Sequence, residues 1–79
     1  MSNIPFTITY CGAWGYKNRA VSLAAELENK LDETARLFQS SGGVFEVEFK
    51  GQLIFSKKAL GRFPEEGEVL RILANLDQG

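Results

Sequence analysis

The chain has 79 residues, 44% of them apolar, and nine basic and ten acidic side chains give it a net charge of −1. This length and apolar fraction suit one small core, and we expect a single domain over residues 1–79. The interspersed charges lack the basic patch of a nucleic-acid-binding protein, and no apolar run is long enough to predict a membrane span. Residues 1–5 lack the basic and apolar regions of a signal peptide, so we expect a cytoplasmic protein.

Histidine is absent and cysteine occurs once, at Cys11. A single cysteine forms no internal disulfide, which fits a reducing compartment. Without histidine, Ser–His and Cys–His catalysis lose their usual base and a zinc site loses its commonest nitrogen ligand, so no metal site is predicted. Glu46 and Glu48 alternate along one predicted strand and Glu65 and Glu66 form a doublet. We interpret both pairs as solvated surface charges.

The first half of the chain predicts a strand, a helix and a second strand. Apolar side chains alternate with threonines before Cys11, which is the period of a strand. The period then changes to that of a helix, and Glu26 and Lys30 are spaced for an i,i+4 ion pair on its outer face. The predicted elements are a strand over residues 6–10, a helix over 16–31, a strand over 34–38 and a loop over 39–43.

The second half predicts a hairpin and a closing helix. Apolar residues alternate with glutamates over 44–49, Lys50 and Gly51 form a two-residue turn, and 52–56 is the return strand. Residues 57–63 are predicted as a loop. Pro64 and the two glutamates after it indicate the start of the last helix. The buried stripe of that helix is predicted to be Val69, Leu70, Ile72, Leu73 and Leu76.

The element order β-α-β-β-β-α predicts an α/β protein with a minimal thioredoxin-like fold. In this fold a four-stranded mixed sheet is covered by two helices. A right-handed crossover makes the first two strands parallel neighbours, and the hairpin adds antiparallel strands. The alternative is a ferredoxin-like plait, which needs another strand after the last helix, and residues 76–79 are too short to supply one.

The candidate site lies where the first strand meets the first helix. Cys11 is followed by the segment Gly12–Gly15, so its thiol sits before a helix N-terminus, whose partial positive charge favours thiolate. The second redox group of a C-x-x-C motif would occupy position 14, which holds Trp14. Alternatively, Cys11 is a buried and unreactive apolar side chain. We expect Trp14 to pack over the loop and, together with Tyr10, to shield the thiol.

Several blocks of the chain resemble the selenoprotein W family. The first is Tyr10–Lys17, two others cover residues 43–47 and 51–58 in the hairpin, and the last covers residues 61–64. The similarity extends over nearly the whole chain. It implies a thioredoxin-like fold, a C-x-x-U or C-x-x-C motif (U being selenocysteine) in the first loop, and thiol redox chemistry. It also implies glutathione or protein thiols as redox partners and a regulatory protein partner.

Within this resemblance Cys11 falls on the first redox cysteine and Trp14 on the selenocysteine. Selenocysteine is encoded by UGA, one base from the tryptophan codon UGG, so Trp14 is either a stand-in for selenocysteine or a natural loss. Indole neither attacks nor leaves as a thiol does, so no bond can join Cys11 to position 14. The chain as written thus lacks the second redox residue of a thiol-disulfide oxidoreductase.

Two functions follow from the sequence. The first is a cytosolic, glutathione-linked thiol redox protein that acts through Cys11 and has no bound cofactor. The second is a non-catalytic protein-binding module on a thioredoxin-like scaffold. In the second, Trp14, Tyr16 and Phe63 form an aromatic patch beside the loop. Lys17 is expected to be a solvated lysine of the first helical turn.

Overall fold

A four-stranded mixed sheet and two long helices make up most of residues 4–78, the part of the chain that the computed structural model describes. The elements are β1 (Phe6–Cys11), α1 (Tyr16–Leu31), β2 (Ala35–Ser40), β3 (Phe45–Phe49), β4 (Gln52–Ser56), α2 (Lys57–Leu60) and α3 (Glu68–Gln78). Within that range no helix is both long and apolar enough to cross a membrane.

The strand order is β2-β1-β3-β4. β1 and β2 are parallel, whereas β3 is antiparallel to both β1 and β4. The parallel pair is connected by α1, as a crossover connection requires. The predicted α/β fold class and its minimal thioredoxin-like topology are therefore confirmed.

One face of the sheet carries the core. Phe6, Ile8 and Tyr10 point to the same face because side chains alternate along a strand. Phe49, Val47 and Phe45 of β3 are their register partners. Buried residues of both long helices join this cluster, so α1 and α3 pack on this face. The buried members are Phe6, Ile8, Tyr10, Ala20, Leu23, Leu27, Phe45, Val47, Phe55 and Val69.

The turn between β3 and β4 is as predicted. Lys50 has φ 52° and Gly51 has φ 83°, and two successive positive φ values characterise the type I′ hairpin turn. The Lys50 amide also donates to the Pro5 carbonyl at 2.8 Å, which fixes the turn against the chain before β1.

The bounds of β2 and the segment after β4 differ from the prediction. β2 extends to Ser40, because the carbonyl of Ser40 accepts the Gly12 amide at 3.0 Å and so continues the pairing with β1. The segment after β4 is not all loop but contains the short helix α2. The Ser56 hydroxyl caps α2 by accepting the Ala59 amide at 3.2 Å, and Gly61 ends it in the left-handed region at φ 77°.

The last helix begins at Glu68 and not at Pro64. Gly67 has φ 80°, which interrupts helical backbone, and the Glu68 carboxylate accepts the Glu65 amide at 2.9 Å. The predicted stripe of α3 is only partly right, because Val69 is buried whereas Leu76 is 39% exposed.

The predicted Glu26–Lys30 ion pair is not found among the residues described. Glu26 Oε2 instead accepts the Gly67 amide at 2.8 Å and so connects α1 to the start of α3. Leu31, the last residue of α1, is 41% exposed.

Candidate functional site

Cys11 is the last residue of β1 and is fixed by backbone hydrogen bonds on both sides. Its amide donates to the Val44 carbonyl at 2.8 Å, and the next amide, that of Gly12, donates to the Ser40 carbonyl at 3.0 Å. Because Tyr10 belongs to the core, strand alternation places Cys11 on the opposite face of the sheet. Cys11 is only 9% exposed and is a free thiol.

The loop after Cys11 directs a backbone donor at the sulfur. The Ala13 amide lies 3.4 Å from Cys11 Sγ, and the Ala13 carbonyl accepts the Tyr16 amide at 3.3 Å. Gly15 precedes α1 at φ 90° and contributes no side-chain cap. A hydrogen bond from a backbone amide stabilises negative charge on a sulfur atom.

Trp14 is 98% exposed. The prediction that the indole packs over the loop and shields the thiol is therefore wrong. Gly12 and Ala13 are exposed as well, so this part of the loop does not pack against the core. Cys11 is buried, but not by Trp14. The residue that falls on the selenocysteine of the resemblance thus faces solvent while the cysteine does not.

Tyr16 and Phe63 contact each other, and they do so by packing at the edge of the core rather than beside Trp14. Their ring centroids lie 5.0 Å apart in an edge-to-face arrangement, and Phe63 makes a similar pair with buried Phe45 at 5.3 Å. The guanidinium of Arg19 lies 4.2 Å above the centroid of the Phe63 ring. Trp14 stays apart from this cluster, so the three-aromatic patch of the binding-module hypothesis does not form.

The aromatic cluster adjoins the backbone that pairs with Cys11. A Cβ built on Gly43 would lie 3.6 Å from the Tyr16 hydroxyl, and the next residue, Val44, accepts the Cys11 amide. Lys17 is exposed, as predicted. No hydrogen bond or ion pair of its ammonium is found among the residues described.

Glu46 is a residue that sequence reasoning misjudged. Its Oε1 accepts the Ser56 hydroxyl at 2.7 Å, and its Oε2 is buried without a hydrogen-bond partner in the described part of the chain. It is half-buried on β3, in register with Thr9 of β1. The prediction of a solvated surface charge is wrong here, because the neighbouring strand supplies a hydroxyl that the local pattern does not reveal.

Over residues 4–78, no group of three or more cysteine, aspartate or glutamate side chains has the arrangement that could hold a metal ion. The site offers the free thiol of Cys11 and the backbone amide of Ala13 beside it.

Known proteins are similar to this chain in sequence and in fold. The Rdx family model matches residues 6–75. The chain is 36% identical over 72 residues to selenoprotein W of Macaca mulatta, covering 85% of this chain and 83% of that protein. It is 28% identical over 81 residues to migration and invasion enhancer 1 of Mus musculus, covering 99% of this chain and 69% of that protein.

The fold gives an independent comparison. The crystal structure of a selenoprotein W-related protein from Vibrio cholerae superposes with a TM-score of 0.82 at 28% identity, covering 90% of this chain and 92% of that one. Sequence and fold thus agree over nearly all of the described residues. The chain therefore belongs to the Rdx family and is a selenoprotein W-like protein with a thioredoxin-like fold.

Proposed function

We propose that the chain is a cytosolic thiol redox protein that forms a mixed disulfide with glutathione through Cys11. The observation that supports this function is the Ala13 amide, 3.4 Å from Cys11 Sγ, in the loop between β1 and α1. Family membership makes redox chemistry the expected activity, and Cys11 is the one thiol in the chain.

The proposed step is a thiol-disulfide exchange. The Cys11 thiolate attacks one sulfur of oxidised glutathione, and a new disulfide forms between Cys11 and that half of the molecule. The original disulfide of glutathione breaks, and the other half leaves as a thiolate that takes up the proton released by Cys11. The Trp14 indole cannot attack the new bond, so release requires a second thiol from solution.

Burial of Cys11 limits the rate of this exchange. The residue is 9% exposed, and attack on a disulfide needs an approach in line with the bond that breaks. Ala13, whose amide lies 3.4 Å from the sulfur, has to move for a glutathione molecule to reach it. We therefore expect a slow reaction that yields one adduct per chain.

Mass spectrometry after incubation with oxidised glutathione tests this function. We expect one glutathione adduct that maps to Cys11 and disappears on treatment with a reductant. Cys11→Ser is the matched control and should remain unmodified. The proposal fails if the folded protein stays unmodified under conditions in which the same chain, unfolded in urea, is converted to the adduct.

Restoring a second thiol tests whether the redox frame is intact. Trp14→Cys should form an internal disulfide with Cys11 on mild oxidation and reduce disulfides with turnover when a reductant is supplied. Trp14→Ser exposes the same loop without a thiol and should do neither. An in-frame UGA at codon 14 of the natural transcript would identify Trp14 as a stand-in for selenocysteine.

The 98% exposure of Trp14 favours a second candidate function, a protein-binding module. Tryptophan is enriched among the residues that contribute most to interfaces. If the chain is such a module, Trp14→Ala should abolish co-purification of a partner from the native cells. Phe38→Ala is the control, because it removes another exposed aromatic side chain (47% exposed), and it should leave co-purification unchanged. The binding function would replace the redox function if Trp14→Cys formed no internal disulfide and no longer co-purified with the partner.

A further inference from the structure

The sheet has two edge strands, β2 and β4, and they differ in how well they are protected. β4 carries an extra residue at a bulge, because Glu48 pairs with Leu53 whereas Val47 pairs with Phe55. β2 pairs with β1 over all six of its residues without a break, and it contains no proline. Bulges and prolines are among the devices that keep an edge strand from pairing with another chain. β2 is therefore the edge at which the sheet can be extended.

Three residues of β2 direct their backbone polar groups to the free edge. The Ser40 carbonyl accepts the Gly12 amide and so faces β1. Because the amides and carbonyls of successive residues alternate between the two sides of a strand, those of Ala35, Leu37 and Gln39 face away from β1. No other segment in the described part of the chain hydrogen-bonds to them. A second strand can therefore pair there.

The helix above β2 has a side that the rest of the described chain leaves uncovered. α1 packs on β1 and β2. One side of α1 lines a cleft beside the segment that precedes α3, through Arg19, Ser22 and Glu26, and Lys30 lines a second cleft with residues of α3. Since a helix turns by about 100° per residue, the opposite side of α1 faces the free edge of β2. The residues of this opposite side are Lys17, Val21, Ala24 and Glu28.

This side of α1 is apolar in the middle and charged at both ends. Val21 is 48% exposed and Ala24 is half-buried. Lys17 and Glu28 are exposed, and neither forms an ion pair within the described residues. A two-fold axis perpendicular to the sheet makes the helix meet itself in the antiparallel direction. If the axis passes between residues 22 and 23, Lys17 lies opposite Glu28 and Val21 lies opposite Ala24, so the surface is complementary to itself.

We propose that two copies of the chain associate through β2 and α1 into a dimer in which the two four-stranded sheets form one continuous sheet. The two β2 strands pair in the antiparallel direction, with Leu37 opposite Leu37 of the second copy. In this register Ala35 lies opposite Gln39, so every outward-facing residue of β2 is hydrogen-bonded across the axis. Lys17 of each copy meets Glu28 of the other.

The spacing of the strand and helix layers agrees with this arrangement. Neighbouring strands lie about 4.8 Å apart, so α1, which covers β1 and β2, lies about 5 Å from the axis. The two α1 helices are then about 10 Å apart, and helices pack at about 8–10 Å. The side chains of Leu37, Val21 and Ala24 from both copies fill the space between the layers.

The interface is small. A strand of six residues is about 20 Å long, and one strand with one helix from each copy gives an interface near the lower size limit for a specific complex, roughly 1,000 Å². We therefore expect a dimer that dissociates reversibly at micromolar concentrations. Its formation does not involve Cys11, so the inference is independent of the proposed redox function.

Sedimentation equilibrium in the presence of a reductant measures dimer formation. We expect a reversible monomer–dimer equilibrium for the wild type. Lys17→Glu should weaken it about ten-fold, because it replaces an ion pair on each side of the axis with a like-charge pair. Glu28→Lys should weaken it similarly, and the combination of both substitutions should restore the affinity. Lys30→Glu is the matched control, because it makes the same charge change on the α3 side of the same helix, and it should leave the affinity unchanged.

Exchange of the backbone amide hydrogens locates the strand contact. With rising protein concentration, the amides of Ala35, Leu37 and Gln39 should exchange more slowly, whereas those of β4, at the other edge, should not change. Gln39→Pro removes one outward-facing amide, and proline is tolerated where the amide of an edge strand faces solvent. It should prevent dimer formation and leave the far-ultraviolet circular dichroism spectrum unchanged.

A wild-type chain that stays monomeric up to millimolar concentrations would overturn the proposal. The proposed interface is also wrong if Lys17→Glu and Lys30→Glu weaken association equally, or if exchange slows at β4 rather than at β2. Failure of the combined charge exchange at Lys17 and Glu28 to restore the affinity would show that the two α1 helices do not meet as proposed.

Discussion

Replacing Phe63 with leucine tests the contacts at the edge of the core, near the start of α1. The Phe63 ring makes edge-to-face pairs with Tyr16 and Phe45, at 5.0 and 5.3 Å between centroids. It also carries the Arg19 guanidinium at 4.2 Å. Leucine keeps an apolar side chain at the site but can make none of these three interactions.

The magnitude follows from the geometry. Each aromatic pair contributes about 0.5–1.5 kcal/mol beyond its buried area, and an exposed cation–π contact contributes about 0.5–1 kcal/mol. Since leucine recovers part of the packing, we expect Phe63→Leu to lower the free energy of unfolding by about 1.5–3 kcal/mol. A domain of this length has a total of roughly 4–12 kcal/mol, so the loss is a large share of it.

Urea unfolding followed by far-ultraviolet circular dichroism measures the effect. The midpoint should fall while the slope of the transition stays the same. Phe38→Leu is the control, because Phe38 is 47% exposed and makes no ring pair over the described residues, and it should change stability by less than about 0.5 kcal/mol. Equal midpoints for the two variants would show that the Phe63 contacts contribute nothing.

Three further predictions concern exposure, charge and packing. Trp14 is 98% exposed, so its fluorescence emission maximum should scarcely move on unfolding; a clear red shift would contradict this exposure. Hydrogen bonds from Arg62 and from a backbone amide lower the pKa of Glu68 to about 2. The stability advantage of wild type over Glu68→Gln should therefore be full at neutral pH and vanish as the pH falls from about 4.5 to about 2, and urea midpoints that keep a constant gap would contradict it. Leu27 is fully buried, and Leu27→Ala should lower the free energy of unfolding by about 2–5 kcal/mol in the same assay. Leu60→Ala, at a side chain 54% exposed, should cost less than about 0.5 kcal/mol, and equal losses would refute the assigned core.

The sequence was sufficient for features that depend on local periodicity. The bounds of α1 and β4 are those predicted, because an amphipathic period and a two-residue turn are encoded in neighbouring residues. The turn at Lys50 and Gly51 then sets the start of the hairpin register. The parallel pairing of β1 and β2 followed from the handedness of crossover connections alone.

A β-bulge explains what periodicity missed in the hairpin. Phe49 pairs with Gln52, and unbroken pairing from there would place Glu46 opposite Phe55. The register instead shifts by one residue between Val47 and Glu48, so Glu46 pairs with Ser56. The bulge brings Phe55 into the core and gives Glu46 its hydroxyl partner. One extra residue in a strand reverses the face of all that follow, and alternation alone cannot reveal it.

The start of α3 was missed for a related reason. Pro64 is a common first residue of helices, yet the Glu68 carboxylate accepts the Glu65 amide at 2.9 Å and both arms of the Arg62 guanidinium at 2.7 Å. These contacts order the preceding segment in a non-helical form. They also leave Glu65 and Glu66 exposed ahead of the helix.

Cys11 and position 14 differ strongly in exposure. In an intact two-residue redox motif this difference would give the two residues different roles. Position 14 is 98% exposed and Cys11 is 9% exposed, so in an intact motif the outer residue meets a bulky disulfide first and Cys11 attacks the adduct from within. With Trp14 present, the accessible position carries no nucleophile, and the remaining thiol is the one placed to resolve. Trp14→Cys should therefore be alkylated by iodoacetamide at the introduced thiol before Cys11, as peptide mapping at partial conversion would show. Faster modification of Cys11 would mean that loop motion exposes the inner sulfur readily, and that burial does not set the order of attack.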